Sequence, residues 1–132
     1  MSAPAPAPAA AALRIAIVGG AGGPHREPVS AFVAQLGLEA VVQPLDSLRA
    51  VDYAIVLVPP GEPGPEFLLD IGYLFAIAGR GRLCFVAQGK PALPPVLDGI
   101  ARHAIDDSGL WRLLLAREMR QAGLDVDLNR AI

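Results

Sequence analysis

Short runs of apolar, mostly branched residues punctuate the sequence, and they constrain the fold more than any other feature. They cover residues 13–18, 38–42, 53–58 and 82–87, and a fifth short strand is predicted within 100–105. The runs are continuous rather than alternating, which is typical of strands buried on both faces of a parallel sheet. Segments of helical length separate them, so the sequence predicts an α/β fold with helices on both faces of the sheet.

Five parallel strands suit the flavodoxin-like order 2-1-3-4-5, in which the first and third strands are neighbours. Their connections leave toward opposite faces of the sheet, and the crevice between their carboxyl ends is where such folds bind ligands. Loops at residues 19–26 and 59–65 flank this crevice. We therefore expect a three-layer sandwich over residues 13–132, with any ligand at this edge.

Composition and charge exclude several classes of protein. Residues 1–12 are rich in alanine and proline and lack a basic start, so we interpret them as a disordered or semi-stiff tail rather than a signal peptide. The net charge of −2 with scattered arginines gives no reason to expect nucleic acid or an anionic membrane as partner. No window reaches the roughly 18 apolar residues of a membrane span. The single cysteine, Cys84, is interpreted as a buried thiol in a reducing, cytoplasmic compartment.

The most apolar predicted helix spans residues 66–80, and a carboxylate interrupts it. Apolar residues lie on nearly every side, so we expect this helix to be buried in a larger core. Glu66, Asp70 and Tyr73 share one face at i, i+4 and i+7. A buried carboxylate is costly unless it is paired, hydrogen-bonded or facing a cavity. Asp70 therefore either faces a polar cleft or caps a neighbouring loop, and the sequence leaves both interpretations open.

A glycine-rich loop follows the first strand and contains Gly20, Gly22 and Gly23. Bare backbone N–H groups beside a helix N-terminus can hold phosphate. The loop matches neither a Walker loop nor a G-x-G-x-x-G fingerprint, since no Gly-Lys-Ser/Thr follows and His25 replaces the last glycine. Taken alone, the loop is more simply a flexible turn, and His25 with Arg26 is more simply a solvated pair.

Other catalytic and metal patterns are missing from the sequence. His25 and His103 are far apart and Cys84 lies in an apolar run, so no metal site is predicted. No serine or cysteine lies in a nucleophile elbow. A receiver-type phosphoacceptor domain is set aside, because no acidic pair for Mg²⁺ follows the first strand.

The last predicted helix supplies part of the core. Residues 106–108, Asp-Asp-Ser, are interpreted as its N-terminal cap. Five apolar side chains are expected to point inward from this helix: Leu110, Trp111, Leu114, Leu115 and Met119. The deepest positions predicted for the whole chain are Ile15, Ile17, Ile55, Leu57, Phe85 and Leu114.

A series of short motifs resembles one known family. Residues 67–74, Phe-Leu-Leu-Asp-Ile-Gly-Tyr-Leu, are similar to the Phe-Glu-Leu-Gly-Tyr-Phe helix of bacterial TIR-like predicted nucleotide-binding proteins. Further matches follow in order: Gly89-Lys90 to Leu93-Pro94, Leu97-Asp98-Gly99-Ile100, Asp106-Asp107-Ser108-Gly109-Leu110-Trp111, and Ala122-Gly123 to Asn129. The resemblance covers Arg14 to Asn129 and implies a flavodoxin-like TIR fold.

The resemblance also implies a function and a site. Catalytic members of the family cleave NAD⁺ at the nicotinamide–ribose bond, often as effectors of antiphage defence, and need self-association. It therefore implies NAD⁺ or a related nucleotide as substrate or ligand, no required cofactor, and a homo-oligomer. Asp70 takes the position of the family's catalytic glutamate, and Glu66 is a substitute candidate. The implied nucleotide contacts are Gly20, Gly22, Gly23, His25, Arg26 and Tyr73.

The sequence departs from the family at the cleft, and two interpretations follow. Aspartate replaces glutamate at position 70, and the segments at 43–51 and 59–65 are short. An aspartate side chain is one methylene shorter than a glutamate side chain. Because misplacing a catalytic group by ~1 Å can cost on the order of 10²-fold in rate, the replacement lowers the rate of hydrolysis that we expect. One interpretation is an NAD⁺ hydrolase; the other is a non-catalytic TIR-like module that binds a nucleotide or only partner proteins. We favour nucleotide binding with weak or lost hydrolysis.

Overall fold

The computed structural model describes most of the chain after the N-terminal tail. The described residues are 13–19, 25–42, 48, 50–59, 64–88, 93–106 and 108–131. The tail predicted for residues 1–12 lies outside them. No described helix is long and apolar enough to cross a membrane.

Five parallel strands form one sheet, as the apolar runs predict. They are β1 (Arg14–Val18), β2 (Glu39–Val41), β3 (Tyr53–Leu57), β4 (Leu83–Ala87) and β5 (Arg102–Ala104). Their order is β2-β1-β3-β4-β5, and all four pairings are parallel. The predicted flavodoxin-like order is confirmed, with β3 between β1 and β4 at the centre.

Three α-helices cover the two faces of the sheet. They are α1 (Arg26–Gln35), α2 (Pro65–Ala78) and α3 (Leu110–Gln121), with short 3-10 turns at Arg80–Arg82, Pro95–Leu97 and Leu128–Ala131. Helix α2 begins with proline, whose missing N–H needs no partner there, and it ends at Gly79 with φ 91°. Glycine adopts this positive φ without strain, so the chain can leave the helix at this residue.

Two apolar cores lie on opposite sides of the sheet. On one side, Ile15, Ile17 and Ile55 pack with α1, α3 and the C-terminal turn, while Phe85 packs with α2 on the other side. All four of these side chains are at most 1% exposed, and Leu57 is 6% exposed. These predictions of core positions are confirmed, as is the burial of Cys84.

The inward face of α3 differs from the prediction. Trp111, Leu115 and Met119 are buried at i, i+4 and i+8. Leu114 is only partly buried and Leu110 is 55% exposed, so the predicted burial of both is wrong. The sequence has three consecutive leucines here, and their apolar character alone does not fix the rotation of the helix.

The start of α3 also differs in detail. The residue before the helix is Gly109, at φ 76°, and the Ser108 hydroxyl accepts a hydrogen bond from the Leu110 N–H at 3.2 Å. The Asp106 carboxylate instead accepts from the backbone N–H of Ser108 at 3.0 Å. Of the predicted cap, Ser108 reaches the helix and Asp106 does not, while Asp107 lies outside the described residues.

Helix α2 is covered on one side only, which corrects the expectation of full burial. Ile71 and Leu74 are its buried residues, at 1% and 0% exposure. Leu69 is 75% exposed and Leu68 is 37% exposed. Because α2 lies at the surface, its polar side chains face solvent, and no cleft inside the protein is needed to accommodate them.

Candidate functional site

The carboxyl edge of the sheet contains the topological switch point. Helix α1 follows β1 on one face, and α2 follows β3 on the other, so the chain leaves two neighbouring strands in opposite directions. At the end of β1, Gly19 has φ 84°, and a Cβ there would lie 2.7 Å from the carbonyl oxygen of Leu57. Only glycine fits this close approach without strain. The expected switch point between β1 and β3 is present.

The glycine loop that should hold a diphosphate remains a prediction. Gly20, Gly22 and Gly23 lie outside the described residues, as do residues 60–63 between β3 and α2. The part of the site that can be described consists of the start of α1, the ends of β4 and β5, the start of α3, and α2.

His25 and Arg26 open helix α1 and are partly buried. The Nε2 atom of His25 and the Nε atom of Arg26 are both buried, and neither has a hydrogen-bond partner among the described residues. The two side chains are therefore not fully solvated, as the simpler interpretation of a surface pair would have them. Buried polar nitrogens without partners are costly, and such groups often await a ligand or an ordered water.

A cavity of about 540 Å³ opens at the carboxyl edge, on the face that carries α1 and α3. The start of α1 forms one wall and the start of α3 forms another, and the ends of β4 and β5 form the floor. The lining residues are His25, Pro28, Gln88, Ala104, Ile105, Asp106, Trp111 and Arg112. Its volume lies within the roughly 300–1,000 Å³ of ordinary small-molecule sites.

The charges around this cavity favour an anion. The Arg112 guanidinium lies over the Trp111 ring, 4.8 Å from its centroid, which holds the cation at the cavity wall. The N-termini of α1 and α3 both open here, and each carries the partial positive charge of a helix N-terminus. Asp106 is the negatively charged side chain in the lining, and its carboxylate accepts a hydrogen bond from the backbone N–H of Ser108.

Sequence reasoning missed Gln88, Asp106 and Arg112 as site residues. Asp106 was interpreted as a helix cap, and Gln88 and Arg112 were given no role. Topology could have indicated these residues, because the parallel strands β4 and β5 end at the same edge of the sheet as β1 and β3. The first polar residues after those two strands therefore belong to the same region as the glycine loop.

Asp70 and Glu66 lie on α2, across the sheet from this cavity. Both side chains are exposed, and Asp70 has no hydrogen-bond or ion-pair partner among the described residues. Asp70 follows Pro65, the first residue of α2, by five positions. It therefore lies about 7.5 Å along the helix axis from Pro65, where the chain enters the helix. Within the described part of the chain, Asp70 is thus neither a buried carboxylate nor a cap.

Tyr73 has a structural contact instead of an open cleft position. Its hydroxyl donates a hydrogen bond to the carbonyl oxygen of Leu48 at 2.6 Å. This contact attaches the connection between β2 and β3 to helix α2, on the same side of the helix as Glu66 and Asp70. The hydroxyl is therefore committed to the fold, and only the ring edge is left to face a ligand.

A second polar group of residues lies under α3, away from the carboxyl edge. Burial raises the pKa of the Cys84 thiol to about 12, although a hydrogen bond with Tyr53 opposes the shift. Burial likewise raises the pKa of Tyr53 above its ordinary value. A thiol that stays protonated is a poor nucleophile, so Cys84 is a core residue. Among the described residues, no group of three or more His, Cys, Asp or Glu side chains could hold a metal ion.

Comparison with known proteins gives one distant relative and no family assignment. No family model matches the chain. The chain is similar to the uncharacterized protein YuaY of Escherichia coli (strain K12), with 26% identity in an alignment that is 145 positions long, gaps included, and covers 90% of this chain. It spans 48% of that relative, about half of its length. The resemblance to TIR-like domains therefore stays a prediction.

Proposed function

We propose that this chain binds a nucleotide, with NAD⁺ as the candidate, across the carboxyl edge of its sheet. The observation that carries the proposal is the cavity between the starts of α1 and α3, where Arg112 and two helix N-termini converge beside the switch point. His25 lines this cavity, and its buried Nε2 has no hydrogen-bond partner among the described residues; the same is true of the buried Nε of the neighbouring Arg26. A phosphate or diphosphate satisfies such donors and complements their charge.

A dinucleotide is longer than this cavity, and the topology offers a continuation. In the proposed arrangement, one nucleoside occupies the cavity and the diphosphate passes the loop after Gly19. The other ribose then reaches the α2 side of the edge, where Asp70 lies. The free carboxylate of Asp70 supports this arrangement, because a group engaged in a structural ion pair would be unavailable.

The activity proposed for this arrangement is weak hydrolysis of NAD⁺ to ADP-ribose and nicotinamide. As the bond between nicotinamide and the ribose C1′ breaks, its electron pair leaves with nicotinamide and positive charge develops on the ribose. A carboxylate at Asp70 stabilises that charge, as in glycosidases. Water then adds to C1′ and releases a proton to solvent. Glu66, one turn earlier on the same face, is the alternative carboxylate.

Two measurements test binding and hydrolysis separately. We expect calorimetric titration with NAD⁺ to show binding that Arg112→Ala weakens, whereas the matched variant Arg120→Ala, exposed on the same helix, leaves it unchanged. We expect nicotinamide release that Asp70→Asn abolishes with binding retained, because the amide keeps the shape and removes the charge. Asp125→Asn is the matched exposed control. Gly22→Val should also weaken binding by crowding the phosphate path.

Clear outcomes would overturn each part of the proposal. Absence of NAD⁺ binding at millimolar concentration contradicts the nucleotide site. Binding without nicotinamide release contradicts only the hydrolase assignment. Release that survives both Asp70→Asn and Glu66→Gln contradicts the role given to this helix face.

The second candidate function is a non-catalytic association module. The observation that favours it is the exposure of Leu69, at 75%, on the helix that carries Asp70. Self-association without any NAD⁺ binding or nicotinamide release would support this candidate over the first.

A further inference from the structure

A second cavity, of about 470 Å³, lies at the amino ends of the strands, away from the proposed nucleotide site. Its walls include the turn that precedes β4, the segment that precedes β5 and the C-terminal half of α3. Gly81 and Gly99 lie in the first two of these walls, and a Cβ built on either would have no heavy atom within 4 Å. The two glycines therefore leave the cavity open, and its volume is that of an ordinary small-molecule site.

Two side chains of opposite charge line this amino-edge cavity. Arg80 lies on the turn before β4, and Glu118 lies on α3. They form no ion pair with each other within the described part of the chain. Opposite charges that share a cavity without pairing favour a ligand that carries both signs of charge and reaches from one to the other.

The Glu118 carboxylate keeps its negative charge available to a ligand. Its Oε1 atom lies 3.9 Å from the buried Nε2 of His103, too far for a hydrogen bond. Burial lowers the pKa of His103, so its ring is neutral near pH 7 and does not neutralise the carboxylate. Glu118 also lies in the last turn of α3, where the helix carries partial negative charge. This wall of the cavity therefore favours a cation, and an ammonium group adds hydrogen bonds to the carboxylate.

The Arg80 guanidinium is held in position and keeps donors for a ligand. Its Nη2 atom donates to the carbonyl oxygens of Val96 and Asp98, both at 3.0 Å. The guanidinium also lies over the Phe75 ring, 5.2 Å from its centroid. The Nε and Nη1 atoms have no hydrogen-bond partner among the described residues. Because the planar fork of guanidinium donors matches a carboxylate, Arg80 is suited to bind one.

We propose that the amino-edge cavity binds a free α-amino acid with a small apolar side chain. The ammonium group of the ligand contacts Glu118, and its carboxylate contacts Arg80. The ligand side chain packs against Leu83, Ile100 and Ala101, which supply the apolar part of the lining. The site is separate from the switch point, so it adds a second ligand to the molecule and involves no covalent step.

The first test is titration of the full chain with L-valine, followed by the amide signals in NMR spectra. We expect the signals of Gly81 and Gly99 to shift, whereas that of Gln88, at the cavity on the carboxyl edge, stays in place. Absence of any shift at millimolar L-valine overturns the inference. Shifts confined to Gln88 and its neighbours overturn it as well, because they place the ligand in the other cavity.

The second test removes one charge at a time from the ligand. 3-Methylbutanoate is valine without the ammonium group, and 2-methylpropylamine is valine without the carboxylate. We expect each to bind at least about tenfold more weakly than L-valine, since each loses one charge-assisted contact. Equal affinity for L-valine and either analogue would contradict the contact assigned to the missing group.

The third test removes the charge of Glu118. We expect Glu118→Gln to raise the dissociation constant of L-valine by about tenfold and to leave that of 3-methylbutanoate nearly unchanged, because this analogue has no ammonium group. Glu39→Gln, at an exposed glutamate on β2, is the matched control and should bind L-valine as the wild type does. An equal loss for L-valine and 3-methylbutanoate would mean that Glu118 only maintains the shape of the cavity.

The same comparison is applied to Arg80. We expect Arg80→Gln to weaken L-valine by about tenfold and to leave 2-methylpropylamine, which has no carboxylate, nearly unchanged. A wall displaced by the loss of the bonds to Val96 and Asp98 would instead weaken both ligands equally. Arg120→Gln, at an exposed arginine on α3, is the matched control. L-Valine binding that survives both Glu118→Gln and Arg80→Gln overturns the inference. None of these measurements uses NAD⁺, so their failure is separate from failure of the proposed function.

Discussion

His103 on β5 lies under α3, where its ring has a buried nitrogen without a hydrogen-bond partner among the described residues. Its Nε2 atom is buried and lies 3.9 Å from Oε1 of Glu118, too far for a hydrogen bond. Burial lowers the pKa of His103 below its ordinary value, and the negative charge of Glu118 opposes this shift without cancelling it. The imidazole is therefore more easily protonated in the unfolded chain than in the folded protein.

This difference makes stability depend on pH in a definite direction. Below the ordinary histidine pKa of about 6.5, the unfolded chain binds the proton first, so the free energy of unfolding falls as pH falls toward the lowered folded pKa. We expect urea unfolding to show lower stability at about pH 5.5 than at about pH 7.5, and His103→Gln to show a smaller difference. Glu118→Gln should enlarge the difference, because it removes the charge that raises the His103 pKa. Equal pH dependence in the wild type and His103→Gln would contradict this assignment.

Strand β3 is the element on which both cores depend. It pairs with β1 on one side and β4 on the other, and all five of its residues are buried. Ile55 faces the core under α1 and α3, at 0% exposure. Its truncation leaves a cavity between three strands and two helices, where neighbours have little freedom to collapse.

Truncations on β3 should therefore be costly. We expect Ile55→Ala and Leu57→Ala each to reduce the free energy of unfolding by roughly 2–5 kcal/mol in chemical denaturation. Leu110→Ala, at a leucine that is 55% exposed, is the control and should change stability by less than about 0.5 kcal/mol. Unchanged unfolding midpoints for both β3 variants would mean that this strand does not carry the core.

The sequence was sufficient to predict where the strands and helices lie along the chain, but it was insufficient to predict which helix faces are covered by other segments. Continuous apolar runs predicted the central strands, because a strand buried on both faces needs apolar residues at nearly every position. The outer strands β2 and β5 are partly exposed and carry Glu39, Arg102 and His103, so their signal was weaker. The same reasoning misjudged α2, since an apolar helix surface is equally compatible with a core and with an uncovered patch. Whether Leu69 is buried depends on which other segment packs over it, and periodicity does not contain that information. The prediction that Leu114 is deeply buried was wrong for a related reason. Its neighbours in the sequence are also apolar, so the pattern does not determine which of them the rotation of α3 turns toward the core.

The candidate site shows the same limit at the scale of the whole molecule. Topology correctly predicted the switch point between β1 and β3, since it follows from strand order. It did not predict Arg112, which reaches the cavity because of the short turn between β5 and α3 and its stacking on Trp111. Site residues on short connections depend on side-chain packing that the strand pattern does not specify.

The described residues line a cavity at the amino ends of the strands as well as at their carboxyl ends, and ligand-linked stability distinguishes the two as binding sites. Besides the carboxyl-edge cavity, one of about 470 Å³ lies at the amino edge and is lined in part by Tyr53, Arg80 and Glu118. A nucleotide that binds only the folded protein stabilises it by about 2.7 kcal/mol at one hundred times its dissociation constant. We expect saturating NAD⁺ to raise the melting temperature at about pH 7.5, where His103 is neutral in folded and unfolded chains alike. Arg112→Ala should remove most of this increase, and Glu118→Gln at the amino-edge cavity should retain it. The opposite pattern would move the ligand to the amino edge, where neither the switch point nor Asp70 could take part in its chemistry.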